Sequence, residues 1–445
     1  MGEGARVAIV NLGCPKNQVD AEVMLGLLQR EGLAISGDPA AADVIIVNTC
    51  GFIADAKEES VNALLEAVRL KREGKAAKVI AAGCLAQRYA TELHAEIPEL
   101  DGIVGIGQQE RIAEAVRAVL AGEAIHAVGA PRAVLPEELP RVLSTPPWTA
   151  YLKIADGCDR PCAFCAIPAI RGKMISRPLE AIVAEARDLA ARGVRELNLV
   201  AQETSRYGLD RYGHSRLVDL LRALSAIDGI EWIRPLYYFP TSVSEELIAL
   251  IASEPKLCKY IDIPLQHVSR SVLRRMRRPG DGERYLELIA RIRAACPEVA
   301  LRTAFIVGYP GETEADFAQL LDFVKEARLD RVGAFIFSPE ENTPAASLPN
   351  RVPARTARAR YARLMATQQR ISLQRNREFV GKPMRVLVEQ VAESGERVGR
   401  SYRDAPEIDG SVRVTGSEAR PGEFVDVMIT AAQPYDLMGE AQPSR

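Results

Sequence analysis

Short apolar runs alternate with amphipathic stretches along the first quarter of the chain. Residues 7–12, 44–49 and 78–83 are strongly apolar, as buried strands are, and each run is followed by a helical pattern. Strands that alternate with helices form parallel, doubly wound sheets. The pattern therefore predicts an N-terminal α/β domain over residues 1–122.

A cysteine follows each of these three strands. Cys14 and Cys84 come directly after a glycine, and Cys50 comes directly before one. Because the carboxyl ends of parallel strands form the ligand crevice of such a sheet, we expect the three thiols to meet at one edge. Free cysteines are often simply buried in the core, and that alternative remains open. Three equivalent placements favour a cluster with three cysteine ligands.

A second α/β region is predicted after a proline-rich linker over 123–148. Six β/α units would form an incomplete barrel within 149–380, with its chemistry at the carboxyl ends of the strands. The candidate strands lie at 151–155, 196–201, 232–239, 260–265, 301–307 and 331–337.

Three further cysteines, Cys158, Cys162 and Cys165, follow the first strand of this barrel in a C-x3-C-x2-C spacing. Three thiolates can hold three irons of a 4Fe–4S cubane and leave the fourth iron open. A structural zinc loop is the alternative, but it favours C-x2-C pairs with a fourth ligand nearby, and the next histidine is His214. Cys258 and Cys296 lack partners at ligand spacing, so we expect them in the core.

Polar residues follow other strands of the predicted barrel. They are Gln202-Glu203-Thr204, Gln266-His267 and the turn 308–312. Each could be a capped turn, and His267 could be a structural histidine. Their shared position at one rim favours a pocket.

The last 65 residues change to short alternating segments divided by turns, which predicts a small β-barrel over 381–445. It contains eight basic and eleven acidic residues, so its net charge of −3 disfavours binding to a polyanion. We expect its acids, among them Glu393, Glu396, Asp404, Glu407 and Asp409, to face a basic partner. The arginine-rich segments 351–380 and 274–278 are expected to be solvated faces, or else to dock an acidic partner or RNA phosphates.

Composition excludes some classes. A content of 47% hydrophobic and 26% charged residues with a net charge of −2 is typical of a globular protein that is not a polycation. No apolar run approaches a membrane span, and the start lacks signal-peptide features. Eight cysteines then indicate metal or redox chemistry in a reducing cytoplasm.

Together, these motifs resemble the methylthiotransferases, a family of radical S-adenosylmethionine enzymes, and within it the RimO type. The resemblance covers nearly the whole chain. It rests on Leu12-Gly13-Cys14-Pro15-Lys16-Asn17, where tRNA-modifying members typically read Gly-Cys-Gln-Met-Asn, and on the segments 260–267 and 338–345. Glu203 stands where aspartate is usual, and 338–345 departs from the commoner Ser-Pro-Val-Glu-Gly-Thr form.

The resemblance implies an N-terminal cluster domain, a radical core and a TRAM-like barrel. It also implies a methylthio group added to the β-carbon of an aspartate in small-subunit ribosomal protein number twelve, free or in the ribosomal subunit. Two 4Fe–4S clusters are implied, one on Cys158, Cys162 and Cys165 that reduces S-adenosylmethionine, and one on Cys14, Cys50 and Cys84 that carries the sulfur. An electron donor of flavodoxin or ferredoxin type is expected. Cofactor contacts are expected from Phe164, Gln202, Glu203, Gln266, Ile306 and Gly308.

Two other functions remain open. The first is a methylthiotransferase acting on tRNA adenosine, which the arginine-rich helix favours and the acidic barrel disfavours. The second is a non-catalytic iron–sulfur adaptor, which would have no need of the polar rim residues.

Overall fold

The computed structural model describes residues 4–131 and 140–443. Part of the predicted linker, including Pro136, lies outside this range. The N-terminal sheet has six parallel strands in the order β2-β1-β3-β4-β5-β6. They are β1 (Arg6–Asn11), β2 (Ala34–Ile35), β3 (Val44–Thr49), β4 (Lys78–Ala82), β5 (Gly102–Val104) and β6 (Ile125–Ala127). The last strand falls within the segment 123–148, where the sequence pattern predicted no regular structure.

Helices cover both faces of this sheet. They are α1 (Pro15–Arg30), α2 (Ala54–Arg72), α3 (Gly83–Arg88), α4 (Ala90–Glu96) and α5 (Ile112–Leu120). Successive residues of a strand point to opposite faces. In β3, Val44 and Ile46 accordingly pack with α1 and α5, whereas Ile45 and Val47 pack with α2. The predicted doubly wound sheet is confirmed.

The central region contains two three-stranded parallel sheets. Its strands are β7 (Thr149–Lys153), β8 (Ala155–Asp156), β9 (Ile175–Ser176), β10 (Glu196–Val200), β11 (Trp232–Pro235), β12 (Tyr260–Asp262), β13 (Ala300–Val307) and β14 (Arg331–Ile336). The sheets have the orders β11-β10-β7 and β12-β13-β14, and the short β8 and β9 pair separately. A bridge between Ile233 and Leu257 links the edges of the two sheets. The six strands of these two sheets form the predicted incomplete barrel.

Nine helices surround this barrel in the described residues. They are α6 (Ile167–Arg171), α7 (Leu179–Ala191), α8 (Leu209–Tyr212), α9 (Leu217–Ser225), α10 (Glu245–Ser253), α11 (Arg270–Arg275), α12 (Gly282–Ala295), α13 (Glu314–Ala327) and α14 (Ala354–Arg377). Short 3-10 turns lie at Pro39–Ala41, Gln109–Arg111, Thr204–Arg206, Pro240–Ser242 and Pro344–Ser347. Cys258 and Cys296 are buried, as expected.

The arginine-rich helix α14 is only partly solvated. Arg360 is buried against Glu312 at 2.9 Å, and Arg375 pairs with the buried Asp330 at 3.1 Å. These ion pairs fix the helix against the barrel. The exposed arginines lie on its outer face: Arg355, Arg358, Arg363, Arg370 and Arg377.

The C-terminal residues form a closed five-stranded barrel, which confirms that prediction. Its strands are β15 (Pro383–Val391), β16 (Arg397–Ser401), β17 (Val412–Thr415), β18 (Phe424–Ala432) and β19 (Leu437–Ala441). Strand β17 pairs in parallel with β19, and the other pairs are antiparallel.

Two of the barrel acids are not free for a partner, and that expectation is wrong. The buried Asp404 lies 2.5 Å from Arg331 of β14. Asp409 accepts a hydrogen bond from the Tyr260 hydroxyl at 2.6 Å and lies 3.5 Å from Arg302. A charge that is buried at a domain interface needs a partner, and here residues of the central region supply it. The overall charge of the barrel therefore does not describe its exposed surface.

No helix within 4–131 or 140–443 combines the length and apolarity needed to cross a bilayer.

Candidate functional site

Cys14, Cys50 and Cys84 lie at the carboxyl ends of the adjacent strands β1, β3 and β4. Cys14 is the N-cap of α1, Cys50 follows β3, and Cys84 is the second residue of α3. The three thiols interact electrostatically with one another. Gly13 has a φ of +88°, and a Cβ there would lie 2.7 Å from the Cβ of Cys50. Only glycine lets the two loops come this close. The predicted convergence of the three cysteines is present in the fold.

The central region places a cation, Arg171, beside these three cysteines. Arg171, at the end of α6, lies 3.5 Å from the Cys84 sulfur and 3.3 Å from the Asn17 amide oxygen. It also pairs with Asp20 at 2.9 Å and Asp156 at 3.0 Å. The chain spacing gives no sign of this contact, because Arg171 is 87 residues from Cys84.

The charge state of these thiols depends on their neighbours. Burial raises the pKa of Cys84 to about 12 and also raises the pKa of Cys50. At Cys14 burial opposes ionisation, but Lys16 and Arg171 outweigh it and lower its pKa. Metals bind thiolates, so loading a cluster here would release protons.

Cys158, Cys162 and Cys165 occupy the loop after β8. The Cys165 amide donates to the Cys162 carbonyl at 3.1 Å, which closes the loop on itself. The Arg160 amide approaches the Cys158 sulfur at 3.4 Å, and Arg278 approaches the Cys162 sulfur at 3.4 Å. Burial raises the pKa of Cys158, and that of Cys165 to about 12. Hydrogen-bond donors beside the sulfurs stabilise the negative charge that a thiolate ligand carries.

Two arginines stand over the ring of Phe239 beside this loop. The guanidinium carbon of Arg160 is 3.8 Å from the ring centre, and that of Arg278 is 4.3 Å away. Arg160 also binds both carboxylate oxygens of Glu203 at 2.6 Å. The expectation that 274–278 is a solvated face is wrong for Arg278, which is buried, and for Arg275, which donates to the carbonyls of 310 and 311. Sequence patterning did not predict Arg160, Phe239 or Arg278 as site residues.

The expected rim residues surround the same end of the barrel. Gln202 donates to Asp156 at 3.1 Å, while its buried carbonyl oxygen has no hydrogen-bond partner. Gln266 has a φ of +70°, and its carbonyl accepts the Ile306 amide at 2.7 Å. Phe164 packs on the barrel core. Gly308 has a φ of +74°, and a Cβ there would lie 2.6 Å from Ala357 of α14.

His267 fits a structural role. It is fully buried, and its Nδ1 accepts the Ser269 amide at 3.0 Å. Burial lowers its pKa to about 3, so the ring is neutral at physiological pH.

The segment 338–345 joins the two cysteine groups. The buried carboxylate of Glu340 pairs with Arg88 of α3 at 2.8 Å and with Lys57 of α2 at 2.9 Å. The Ala345 amide donates to the carbonyl of Ala163, between Cys162 and Cys165, at 2.8 Å. This segment therefore fixes the N-terminal domain against the loop that carries Cys158, Cys162 and Cys165.

Among residues 4–131 and 140–443, no three Cys, His, Asp or Glu side chains are close enough to share a single metal ion. In a cubane each thiolate ligates a different iron, so wider separations are compatible with a cluster.

Three family models match successive parts of the chain. The uncharacterised protein family UPF0004 matches residues 6–105, the radical SAM superfamily matches 152–324, and the TRAM domain matches 380–441. A protein from Pelobacter propionicus named ribosomal protein uS12 methylthiotransferase RimO is 50% identical over 99% of this chain and 98% of its own length. A protein of the same name from Desulforamulus reducens is 50% identical over 98% of this chain and 99% of its own.

The chain belongs to the RimO family of methylthiotransferases.

A solved structure supports the fold of this RimO family member. The radical S-adenosylmethionine methyltransferase TsrM from Kitasatospora setae, with tryptophan and a cofactor analogue bound, superposes with a TM-score of 0.57 over 77% of this chain and 75% of its own. The two sequences are 16% identical, so the likeness concerns the fold alone.

As a member of the RimO family, the protein is a radical S-adenosylmethionine methylthiotransferase that uses two 4Fe–4S clusters and requires a reductant. The side chains present fit these cofactors. Soft thiol ligands are available in two groups of three, which suits iron–sulfur chemistry and leaves one open iron in each cluster. The unpartnered Gln202 oxygen at the barrel rim offers an acceptor to a bound nucleoside.

Proposed function

We propose that this protein adds a methylthio group to the β-carbon of an aspartate in ribosomal protein uS12, in the cytoplasm. The relatives that match nearly the full length support this substrate. The observation that carries the proposal is the arrangement of two three-cysteine groups at facing strand ends. Arg171 and the segment 338–345 hold them together.

We assign the radical cluster to Cys158, Cys162 and Cys165, and the second cluster to Cys14, Cys50 and Cys84. When bound, the clusters and S-adenosylmethionine supply the radical and sulfur chemistry that an unactivated carbon requires. S-adenosylmethionine is assigned to Phe164, Gln202, Glu203, Gln266, Ile306 and Gly308.

The surrounding side chains of the protein orient and shield these groups. Arg278 beside Cys162 and Arg171 beside Cys84 each bring positive charge to a thiolate, which favours the ligated form. Both arginines are at most 9% exposed, so water screens their charge only weakly at the adjacent sulfurs.

The electron donor is proposed to be of flavodoxin or ferredoxin type, and tRNA is not the proposed substrate. One observation favours the tRNA alternative. Within the part of the chain that the structure describes, Arg355, Arg358, Arg370 and Arg377 form an exposed face of α14 without a carboxylate partner. Such a face could contact phosphates.

A paired assay decides between the substrates. The enzyme is loaded anaerobically with iron and sulfide, reduced, and incubated with S-adenosylmethionine and either recombinant uS12 or tRNA. We expect peptide mass spectrometry to locate a methylthio group on one uS12 aspartate, with tRNA unchanged, and no product from the Cys162→Ala variant. Methylthiolated adenosine in tRNA with unmodified uS12 would establish the alternative.

A further inference from the structure

Lys16 is a buried cation without an acidic partner. Ten lysine and arginine residues are buried in the described ranges, and Lys16 is 9% exposed. Eight of the ten pair with a carboxylate: Lys153, Arg171, Arg177, Arg234, Arg331, Arg360, Arg400 and Arg403. Arg278 contacts the Cys162 sulfur and the Pro264 carbonyl. Lys16 alone among them has neither an acid nor a carbonyl oxygen as a hydrogen-bond partner.

The position of Lys16 places its ammonium group between the two domains. It is the second residue of α1, two positions after Cys14. Its Nζ lies 3.6 Å from the ring centre of Tyr237, which follows β11 at the barrel rim. The Tyr237 carbonyl accepts the Thr204 amide at 3.1 Å, so the ring belongs to the same rim as Gln202 and Glu203.

Lys16 stays charged in this position: burial lowers its pKa, but Tyr237 and Cys14 outweigh burial and raise that pKa. The cation–π contact with Tyr237 stabilises the ammonium without using all of its hydrogen-bond donors. The ammonium has three donors, and Tyr237 accepts through its ring face and its hydroxyl, so at least one donor is left. Asp262, which accepts the Tyr237 amide, is already paired with Arg302 at 3.0 Å. Donor capacity therefore remains at Lys16.

We propose that the ammonium group of Lys16 binds the side-chain carboxylate of the substrate aspartate and so positions the reacting carbon. This inference rests on the proposed function. The carboxylate carbon is bonded directly to the β-carbon, so a charge-assisted contact to the carboxylate holds the reacting atom one bond away. A cation buried between the two domains would also discriminate against a substrate without a carboxylate.

A competing role for Lys16 is to stabilise the negative charge of Cys14 and a cluster bound there. That role would not depend on the substrate carboxylate. A double-mutant cycle separates the two roles, because only a direct contact couples the enzyme change to the substrate change.

The cycle measures equilibrium binding of labelled uS12 to enzyme loaded with both clusters. The enzyme is wild type or Lys16→Met. The uS12 is unmodified and carries either aspartate or asparagine at the position that the enzyme modifies, which mass spectrometry locates beforehand. We expect each single change to weaken binding at least tenfold, and the second change to add little once the first is made. Tenfold coupling corresponds to about 1.4 kcal/mol. The Lys16→Gln variant is measured in parallel, so that the result does not rest on the folding of one variant.

Lys57→Met is the matched control. Lys57 is in the same domain and also lies over a tyrosine ring, 5.6 Å from the centre of Tyr89, but it pairs with Glu340. The Lys57→Met change should weaken binding of both forms of uS12 by the same factor. Iron content and thermal unfolding report whether each variant is intact.

Two failures can be distinguished. If Lys16→Met and Lys16→Gln weaken binding of the aspartate and asparagine forms of uS12 by the same factor, the carboxylate contact is refuted while the proposed function stands. If wild type never modifies uS12, the proposed function fails, and the inference fails with it.

Discussion

Substituting Gly13 with alanine should remove the cluster on Cys14, Cys50 and Cys84 and leave the radical cluster. Gly13 has a φ of +88°, and an added Cβ would lie 2.7 Å from the Cβ and 3.0 Å from the sulfur of Cys50. Carbon atoms in contact prefer about 3.5–4.0 Å, so Cys50 must move by roughly 1 Å. Functional geometry tolerates only about 0.5 Å. We therefore expect the ligand set of Cys14, Cys50 and Cys84 to be broken.

Gly32→Ala provides a control for backbone strain. Gly32 is in the same domain with a φ of +79°, and a Cβ there would meet no atom within 4 Å. Both substitutions place alanine in the left-handed region, which costs about 1–2 kcal/mol. The strain is shared, so the difference between the variants reports the contact with Cys50.

The assay is iron and sulfide content after anaerobic loading, with 5′-deoxyadenosine formation measured beside it. Wild type and Gly32→Ala should bind about 8 irons, as two cubanes of four. Gly13→Ala should bind about 4, still cleave S-adenosylmethionine, and methylthiolate nothing. Eight irons and wild-type methylthiolation in Gly13→Ala would refute the placement of the second cluster.

Three further outcomes follow from the structure. Cys162→Ala should end 5′-deoxyadenosine formation, since two thiolates hold a cubane poorly; cleavage at the wild-type rate would show that the radical cluster lies elsewhere. Glu196→Gln should lower the free energy of unfolding by about 3–5 kcal/mol in denaturant titrations, because Arg400 and Arg234 would lose their buried carboxylate. Glu231→Gln, at a partly exposed ion pair with Arg385, should change it by less than about 1 kcal/mol, and equal effects would contradict the assignment. Burial raises the pKa of Glu196, but Arg400 and Arg234 outweigh it and hold that pKa at about 2, below an unfolded value of about 4.3. The stability from Glu196 should therefore be complete above about pH 4.3 and decline as the pH falls towards 2; a pH-independent difference between wild type and Glu196→Gln would refute this.

Strand periodicity and cysteine position were enough to predict the three-part fold. Each of Cys14, Cys50 and Cys84 follows an apolar strand, and the rule that parallel strands share a carboxyl edge converts that local pattern into a tertiary one. The same rule located the 158–165 loop. Both predictions use information that is local in sequence.

The charged contacts around the site could not be predicted in this way. Arg171, Arg278 and Glu340 meet partners 87, 116 and 252 residues away, at Cys84, Cys162 and Arg88. Nothing in their neighbouring residues distinguishes them from solvated charges. The error at Asp404 and Asp409 has the same cause, because a count of charges carries no information on which ones are buried in an interface.

The most direct test is the mass of uS12 from cells that lack this gene. We expect uS12 to lose one methylthio group in the deletion strain, to regain it with the wild-type gene, and not to regain it with Cys162→Ala. A uS12 that keeps the methylthio group in the deletion strain, while tRNA loses methylthioadenosine, would contradict the proposed function.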